Sequence, residues 1–120
     1  MIQILNVIKK LLVCLLYVLL KEIRMGKLVR DLIPRIALDR KFKVIEDKDE
    51  YRKVLLDKLV EEAVEVKESN ADAEELADVM EVFEAIVHEF QHDIRHIRAE
   101  QEDKRKRRGG FREGIFLLDK

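Results

Sequence analysis

The sequence predicts an all-α fold, a helical hairpin or small bundle with room for one minor two-stranded pairing. Three observations carry this expectation. Leu, Glu, Lys, Val and Ile dominate a chain that is 48% apolar and 41% charged. Four Gly, one Pro, one Ser and no Thr leave little from which to build the turns and β-branched polar positions of a sandwich or barrel. Through the middle of the chain, apolar residues recur at the helical period.

Composition also narrows the chemistry. Ser69 is the one residue of its type, so catalysis through a Ser or Thr nucleophile is nearly excluded. Cys14 is alone, which removes a disulfide framework and a Cys-based zinc cluster and suits a reducing, cytoplasmic setting. A net charge of −1 excludes a globally basic nucleic-acid binder. The charge is uneven, however. Residues 1–24 carry Lys9, Lys10, Lys21 and Arg24 against Glu22, residues 104–108 read KRKRR, and the middle is acidic.

Two segments are expected, 1–24 and 25–120. Residues 11–20 form an unbroken apolar run of ten behind Lys9 and Lys10. As a helix the run rises ~15 Å, about half the hydrocarbon core of a bilayer. KEIRMGK offers no small-residue cleavage site of the kind a secretory signal needs. Met25 opens MGKLVRDLIP, which reads like a natural start. The leading expectation for residues 1–24 is therefore a dispensable leader. A helix added to the domain or to a partner comes second, and a membrane-surface anchor is not favoured.

After Pro34, residues 41–46 alternate weakly and are the candidate strand, with residues 114–118 as its partner. From about Asp49 to Ser69, Leu55, Leu56, Leu59, Val60, Ala63, Val64 and Val66 trace a helix that Asn70 is suited to end. Asp72 and Glu75 form a capping-box pattern for a second helix carrying Leu76, Val79, Phe83, Ile86, Val87 and Phe90. That helix runs or breaks towards Arg107, and Gly109 and Gly110 end it.

Folding this hairpin about Asn70 places positions whose numbers sum to 140 opposite one another. Glu65 then faces Glu75, Glu62 faces Asp78, and each helix presents its pair at i,i+3 on one face. Four carboxylates converge at one level, an arrangement that destabilises a fold unless something compensates. Oxygen ligands without His or Cys favour Mg²⁺, or Mn²⁺, over zinc. The bland alternative is a solvated acidic face, with Glu75 used up as the capping partner of Asp72. A second pattern, His88-Glu89-Phe90-Gln91-His92, reads HExxH, with His96 further along the same helical face. The spacing to His96 and the small size of the chain argue against a zinc protease.

The stretch Lys58-Leu59-Val60-Glu61-Glu62-Ala63-Val64-Glu65, followed by Glu75-Leu76-Ala77-Asp78-Val79, resembles the EExxE and ExxD helices of the MazG-like all-α NTP pyrophosphohydrolases. KLVRDLIP at 27–34, and RGGF with IFL within 108–117, sharpen the resemblance to the small predicted house-cleaning branch of that superfamily, which is related to phosphoribosyl-ATP pyrophosphohydrolase. The resemblance covers residues 25–120 and none of 1–24. Only nine residues separate Glu65 from Glu75, fewer than in many members, and this bears on pocket size.

The resemblance implies hydrolysis of a nucleoside triphosphate, standard or non-standard, to monophosphate and pyrophosphate. It implies Mg²⁺ held by Glu62, Glu65, Glu75 and Asp78, with one of these carboxylates or Glu61 accepting the proton of the attacking water; Glu61 and Glu62 are the catalytic candidates. Lys27, Arg30 and Lys58, with Arg108 and Arg112 behind them, are the expected phosphate-binding cations. A lone hairpin leaves an apolar side uncovered, so a homodimer is expected. The competing expectation is a non-catalytic dimerising adaptor, or a binder of RNA phosphates through residues 104–108.

Overall fold

The computed structural model describes residues 1–23 and 26–119, and within the first helix it leaves undescribed the side chains of residues 14 and 17–23. Met25, the expected start of the domain, lies outside the described residues. Contacts divide the chain into two units, one of Met1–Gly26 with Arg108–Lys120 and one of Lys27–Arg107.

The first unit holds α1, Ile2–Ile23, a helix that contains no Gly, Pro or Thr and whose Leu-rich run favours the conformation. Its apolar side chains, where described, are all exposed. No helix among the described residues is long and apolar enough to cross a membrane. Residues 109–119 are irregular, with Gly109 at φ 81° and Gly114 at φ 64° supplying backbone conformations that a side chain would strain.

The second unit is a helical hairpin with two appendages. Residues 26–30 lead into a turn and the short α2, Ile33–Ile36, whose Pro34 sits in the first turn where a missing N–H costs nothing. Then comes α3, Lys48–Glu68, opened by Asp47, whose side chain accepts from the Asp49 N–H, and by Asp49 and Glu50 in the first turn. It ends as Asn70 predicts. Asn70 and Ala71 have φ of 57° and 64°. The Ala71 N–H reaches the Val66 carbonyl at 2.8 Å, and the Asn70 N–H reaches that of Lys67 at 3.3 Å, which together make a Schellman motif.

The same device ends α4, Ala73–Glu89. Gln91 takes φ 59°, and the His92 N–H donates to the Val87 carbonyl at 2.9 Å. The chain therefore breaks after Phe90. Asp93 then restarts it as α5, Ile94–Arg108, by accepting the Arg95 N–H at 2.9 Å. Of the two expected courses for this stretch, running on or breaking, the chain takes the second.

Helices α3 and α4 pack on each other. Leu55, Val82 and Val87 are the buried apolar residues, and Leu56, Val60, Leu76, Met80 and Phe83 remain exposed. The all-α expectation holds, but the two-stranded pairing does not. No strand forms among the described residues, and residues 41–47 and 114–117 are irregular. The reason is burial. Phe42 and Val44, the apolar side of such a ribbon, stay exposed, so a two-stranded pairing would have no face to cover.

Leu55 keeps only 2% of its surface and is the central knob of the hairpin. Leu55→Ala should cost about 2–5 kcal/mol in denaturant unfolding. The exposed neighbour Leu56→Ala should cost less than about 1 kcal/mol.

Candidate metal centre

The last two turns of α3 carry Glu62 and Glu65, and the first two turns of α4 carry Glu75 and Asp78. The tight turn between the helices sets these turns side by side. One carboxylate oxygen from each of the four lies within 4.8 Å of the other three. The sum-of-140 register read from the sequence is thus realised in space.

Glu75 is available for this group because of a local detail. Asp72 occupies the N-cap position of α4, but its side chain makes no capping hydrogen bond. Its own N–H, which a capping-box Glu75 would take, donates to Ser69 Oγ at 3.2 Å. Ser69 thus replaces Glu75 in the cap, and the Glu75 carboxylate turns to the cluster. Sequence reasoning treated Ser69 only as a missing nucleophile; a hydroxyl three residues before an N-cap was the signal for this role.

Glu62 lies deepest. It retains 5% of its surface and is the buried charged residue among those described. Its Oε1 accepts from Lys58 Nζ at 3.2 Å, and Lys58 also reaches Glu61 Oε2 at 3.2 Å. Glu62 Oε2 and Glu75 Oε2 are buried without a hydrogen-bond partner. Buried polar atoms are nearly always satisfied, so unpaired oxygens on two members of one carboxylate group are unusual. Burial pushes the Glu62 carboxyl above its ordinary range; Lys58 opposes this, and the neighbouring Glu65 adds to it. Burial pulls the Lys58 ammonium down, but Glu61 and Glu62 outweigh it and hold Lys58 above its usual value.

The predicted residues divide as follows. Four carboxylates come together, and Glu61 stands outside the four, tied to Lys58. Two predicted cations are at the group, namely Lys58 on Glu62 and Arg30, whose Nη2 donates to Asp78 Oδ1 at 2.5 Å. That hydrogen bond, above all, raises the Arg30 guanidinium further. Lys27 is exposed in the segment ahead of Arg30. Arg108, the last residue of α5, and Arg112 belong to the other unit, and both are exposed. In the basic run, Lys106 and Arg107 pair with Glu102 and Asp103 one turn back.

The donor set contains oxygen alone, with two orphaned buried atoms, which is what a hard divalent cation such as Mg²⁺ or Mn²⁺ requires. Two open concavities of about 490 and 630 Å³ lie elsewhere on this unit, along α4 and α5, and include none of the four carboxylates. The second is lined by Glu84, His88, His92 and Asp93, but among the described residues only the four carboxylates converge closely enough to hold one ion.

The HExxH pattern fails as a zinc site. It needs both histidines one turn apart on a continuous helix. Here Glu89 ends α4, Gln91 reverses the backbone, and His92 lies beyond the helix. Glu89 is engaged with Arg52, whose guanidinium also stacks on Phe90 at 5.3 Å.

Comparison of the chain with protein-family models, with curated proteins and with solved structures returns no match. The functional reading therefore rests on the residues and their geometry.

Two outcomes follow. A carboxyl whose folded-state value is raised contributes stability below its unfolded value of about 4.3 and loses it as pH climbs through the folded value. In EDTA, the stability of wild type relative to Glu62→Gln should therefore fall as pH rises above that unfolded value, as followed by urea unfolding. A pH-independent difference would remove the buried-charge account. Replacing His88 and His92 together by Gln should leave Mg²⁺-induced thermal stabilisation unchanged, and zinc should not co-purify stoichiometrically with the wild-type chain.

Proposed function

We propose that this chain is a divalent-cation-dependent nucleoside triphosphate pyrophosphohydrolase of the MazG-like type, cytoplasmic and homodimeric, that releases pyrophosphate and a nucleoside monophosphate. One observation carries the reading. A 5%-exposed Glu62 that carries an unpartnered buried oxygen is grouped with three further carboxylates, on two helices whose EExxE and ExxD spacing the superfamily shares. A purely solvated acidic face would expose its oxygens to water rather than bury them unpaired.

Glu62, Glu65, Glu75 and Asp78 would hold Mg²⁺ or Mn²⁺, which supplies charge neutralisation for the phosphates and lowers the pKa of a coordinated water. The chain's own residues do the rest. Glu62, buried and held by Lys58, keeps a fixed orientation against the opposite helix turn. Glu61, bonded to the same ammonium, or one of the four clustered carboxylates takes the proton from the attacking water. Arg30 and Lys58, with Lys27 as a further candidate, hold phosphate oxygens; guanidinium offers the bidentate fork that phosphate accepts best. Phosphoryl chemistry needs alignment and charge neutralisation more than a covalent intermediate, so the scarcity of hydroxyl and thiol nucleophiles is no obstacle. A second copy of the chain would cover Leu56, Val60, Leu76, Met80 and Phe83.

The test is pyrophosphate release from a panel of nucleoside triphosphates with Mg²⁺, with Mn²⁺ and with EDTA. Glu65→Gln and Asp78→Asn should each lower turnover by orders of magnitude. Each should also lose most of the stabilisation that a saturating cation confers, about 2.7 kcal/mol at 100 times its Kd. Glu68→Gln, exposed at the end of α3, should match wild type in both respects. Equal Mg²⁺ stabilisation in all three variants would sink the metal centre and the enzyme with it.

A further inference from the structure

The two cations at the carboxylate cluster are held in different ways. Lys58 belongs to α3 itself, one turn before Glu62, and its side chain is 15% exposed. Its contacts to Glu61 and Glu62 are both 3.2 Å and both lie within one helix, so the fold of α3 alone keeps it in place. Arg30 arrives from outside the hairpin. It lies in the segment ahead of α2, 48 residues from Asp78 along the chain, and one hydrogen bond joins the two side chains. The Arg30 side chain is 58% exposed, so its guanidinium is open to solvent on the side away from Asp78. Glu62, a second member of the group, and the neighbouring Glu81 also attract it, so its charge acts on more than Asp78 alone.

We infer that Arg30 is an exchangeable counter-ion, which neutralises Asp78 until a polyphosphate arrives with its divalent cation and then transfers its guanidinium to a phosphate. This rests on the reading of the four carboxylates as a metal centre. The physical case is one of competition and relief. A divalent cation drawn to Glu62, Glu65, Glu75 and Asp78 meets the positive charge of Arg30 beside Asp78, and like charges at such range repel. Cation binding without nucleotide is therefore opposed. Phosphate oxygens offer the guanidinium the same planar fork that a carboxylate does, so a bound nucleotide takes Arg30 over and removes the opposition. Metal and nucleotide consequently bind with positive coupling, and Arg30 carries that coupling. Lys58 cannot exchange in this way, since releasing it would leave the buried Glu62 without its ion pair. The arrangement favours loading of the site by the metal–nucleotide complex over loading by the free cation.

A contrasting arrangement makes the opposite prediction. If Asp78 holds the cation through one oxygen while Arg30 stays on the other, Arg30 orients the ligand, and its removal weakens cation binding. Titration of the full chain with Mn²⁺ separates the two, with free Mn²⁺ followed by electron paramagnetic resonance. It is done with and without a nucleoside triphosphate analogue carrying a methylene between its α and β phosphates. Relative to wild type, Arg30→Gln should bind Mn²⁺ alone roughly tenfold more tightly, and the analogue with Mn²⁺ roughly tenfold more weakly. Arg30→Lys, which keeps the charge, should bind Mn²⁺ alone as wild type does. Thermal melts in EDTA check that the variants fold. Unchanged or weaker Mn²⁺ binding by Arg30→Gln, with binding by wild type intact and lost in Glu65→Gln, overturns the role of Arg30 alone. Absence of Mn²⁺ binding by wild type, or equal binding by Glu65→Gln, overturns the metal centre and this inference together.

Discussion

Repulsion among four carboxylates, confined within 4.8 Å of one another between two helix turns, is the constraint around which the second unit is arranged. Unit charges about 4 Å apart interact by about 4 kcal/mol at the effective dielectric of a protein surface. The hairpin must hold that stress with a small apolar core of Leu55, Val82 and Val87. Three forms of relief are built in. Lys58 pairs with Glu62 from within α3, Arg30 pairs with Asp78 from outside, and burial drives the Glu62 carboxyl towards its protonated form. None of these satisfies Glu62 Oε2 or Glu75 Oε2. That unmet demand is what singles out this part of the hairpin as a candidate metal centre.

The turn between the helices is as consequential as the carboxylates. A four-residue reversal, with Asn70 and Ala71 in the left-handed region, brings the last turns of α3 directly against the first turns of α4. A longer connection would let the helices slide and the acidic pairs part. Ser69 completes the device by taking over the cap at Asp72, without which Glu75 would be drawn back to its own helix end. The hydrogen bond of one hydroxyl thus frees a carboxylate on the opposite helix to join Glu62. At the far end, Gln91 performs a similar reversal with the opposite consequence, separating the two histidines of an apparent zinc motif.

Exposed apolar residues set the second limit. Leu56 and Val60 on α3, and Leu76, Met80 and Phe83 on α4, remain open in a unit whose buried core is very small. Short helical chains that leave such faces uncovered gain stability by association, and the proposed homodimer answers that need. In α5, by contrast, no residue is buried, and i,i+4 ion pairs between Glu102 and Lys106 and between Asp103 and Arg107 take up part of its charge.

Much of this was legible in the residues because the relevant forces are local. The helical period of α3 and α4, the stop at Asn70 and the i,i+3 spacing of 62/65 and 75/78 all depend on neighbours within one or two turns. A short turn then leaves a single register for the hairpin, so the carboxylate group could be read by counting. The alternation at 41–46 was equally visible and misled; the capping pattern at Asp72 and Glu75 placed the helix start but not its hydrogen bonds, and the HExxH string, already disfavoured by its spacing, forms no site, each for the same reason. A local pattern states what a segment can do, and competition decides what it does. Ser69 outcompeted Glu75 for the Asp72 N–H, residues 41–46 found no face to bury, and Gln91 broke the helix that HExxH requires. Helix content and the acidic register were determined by the sequence alone, since both follow from short-range geometry. The burial of Glu62, its unpaired oxygen and the meeting of Arg30 with Asp78 across 48 residues were decided only by the tertiary structure. Desolvation and long-range ion pairing depend on what the rest of the chain brings near, which no spacing along the sequence encodes.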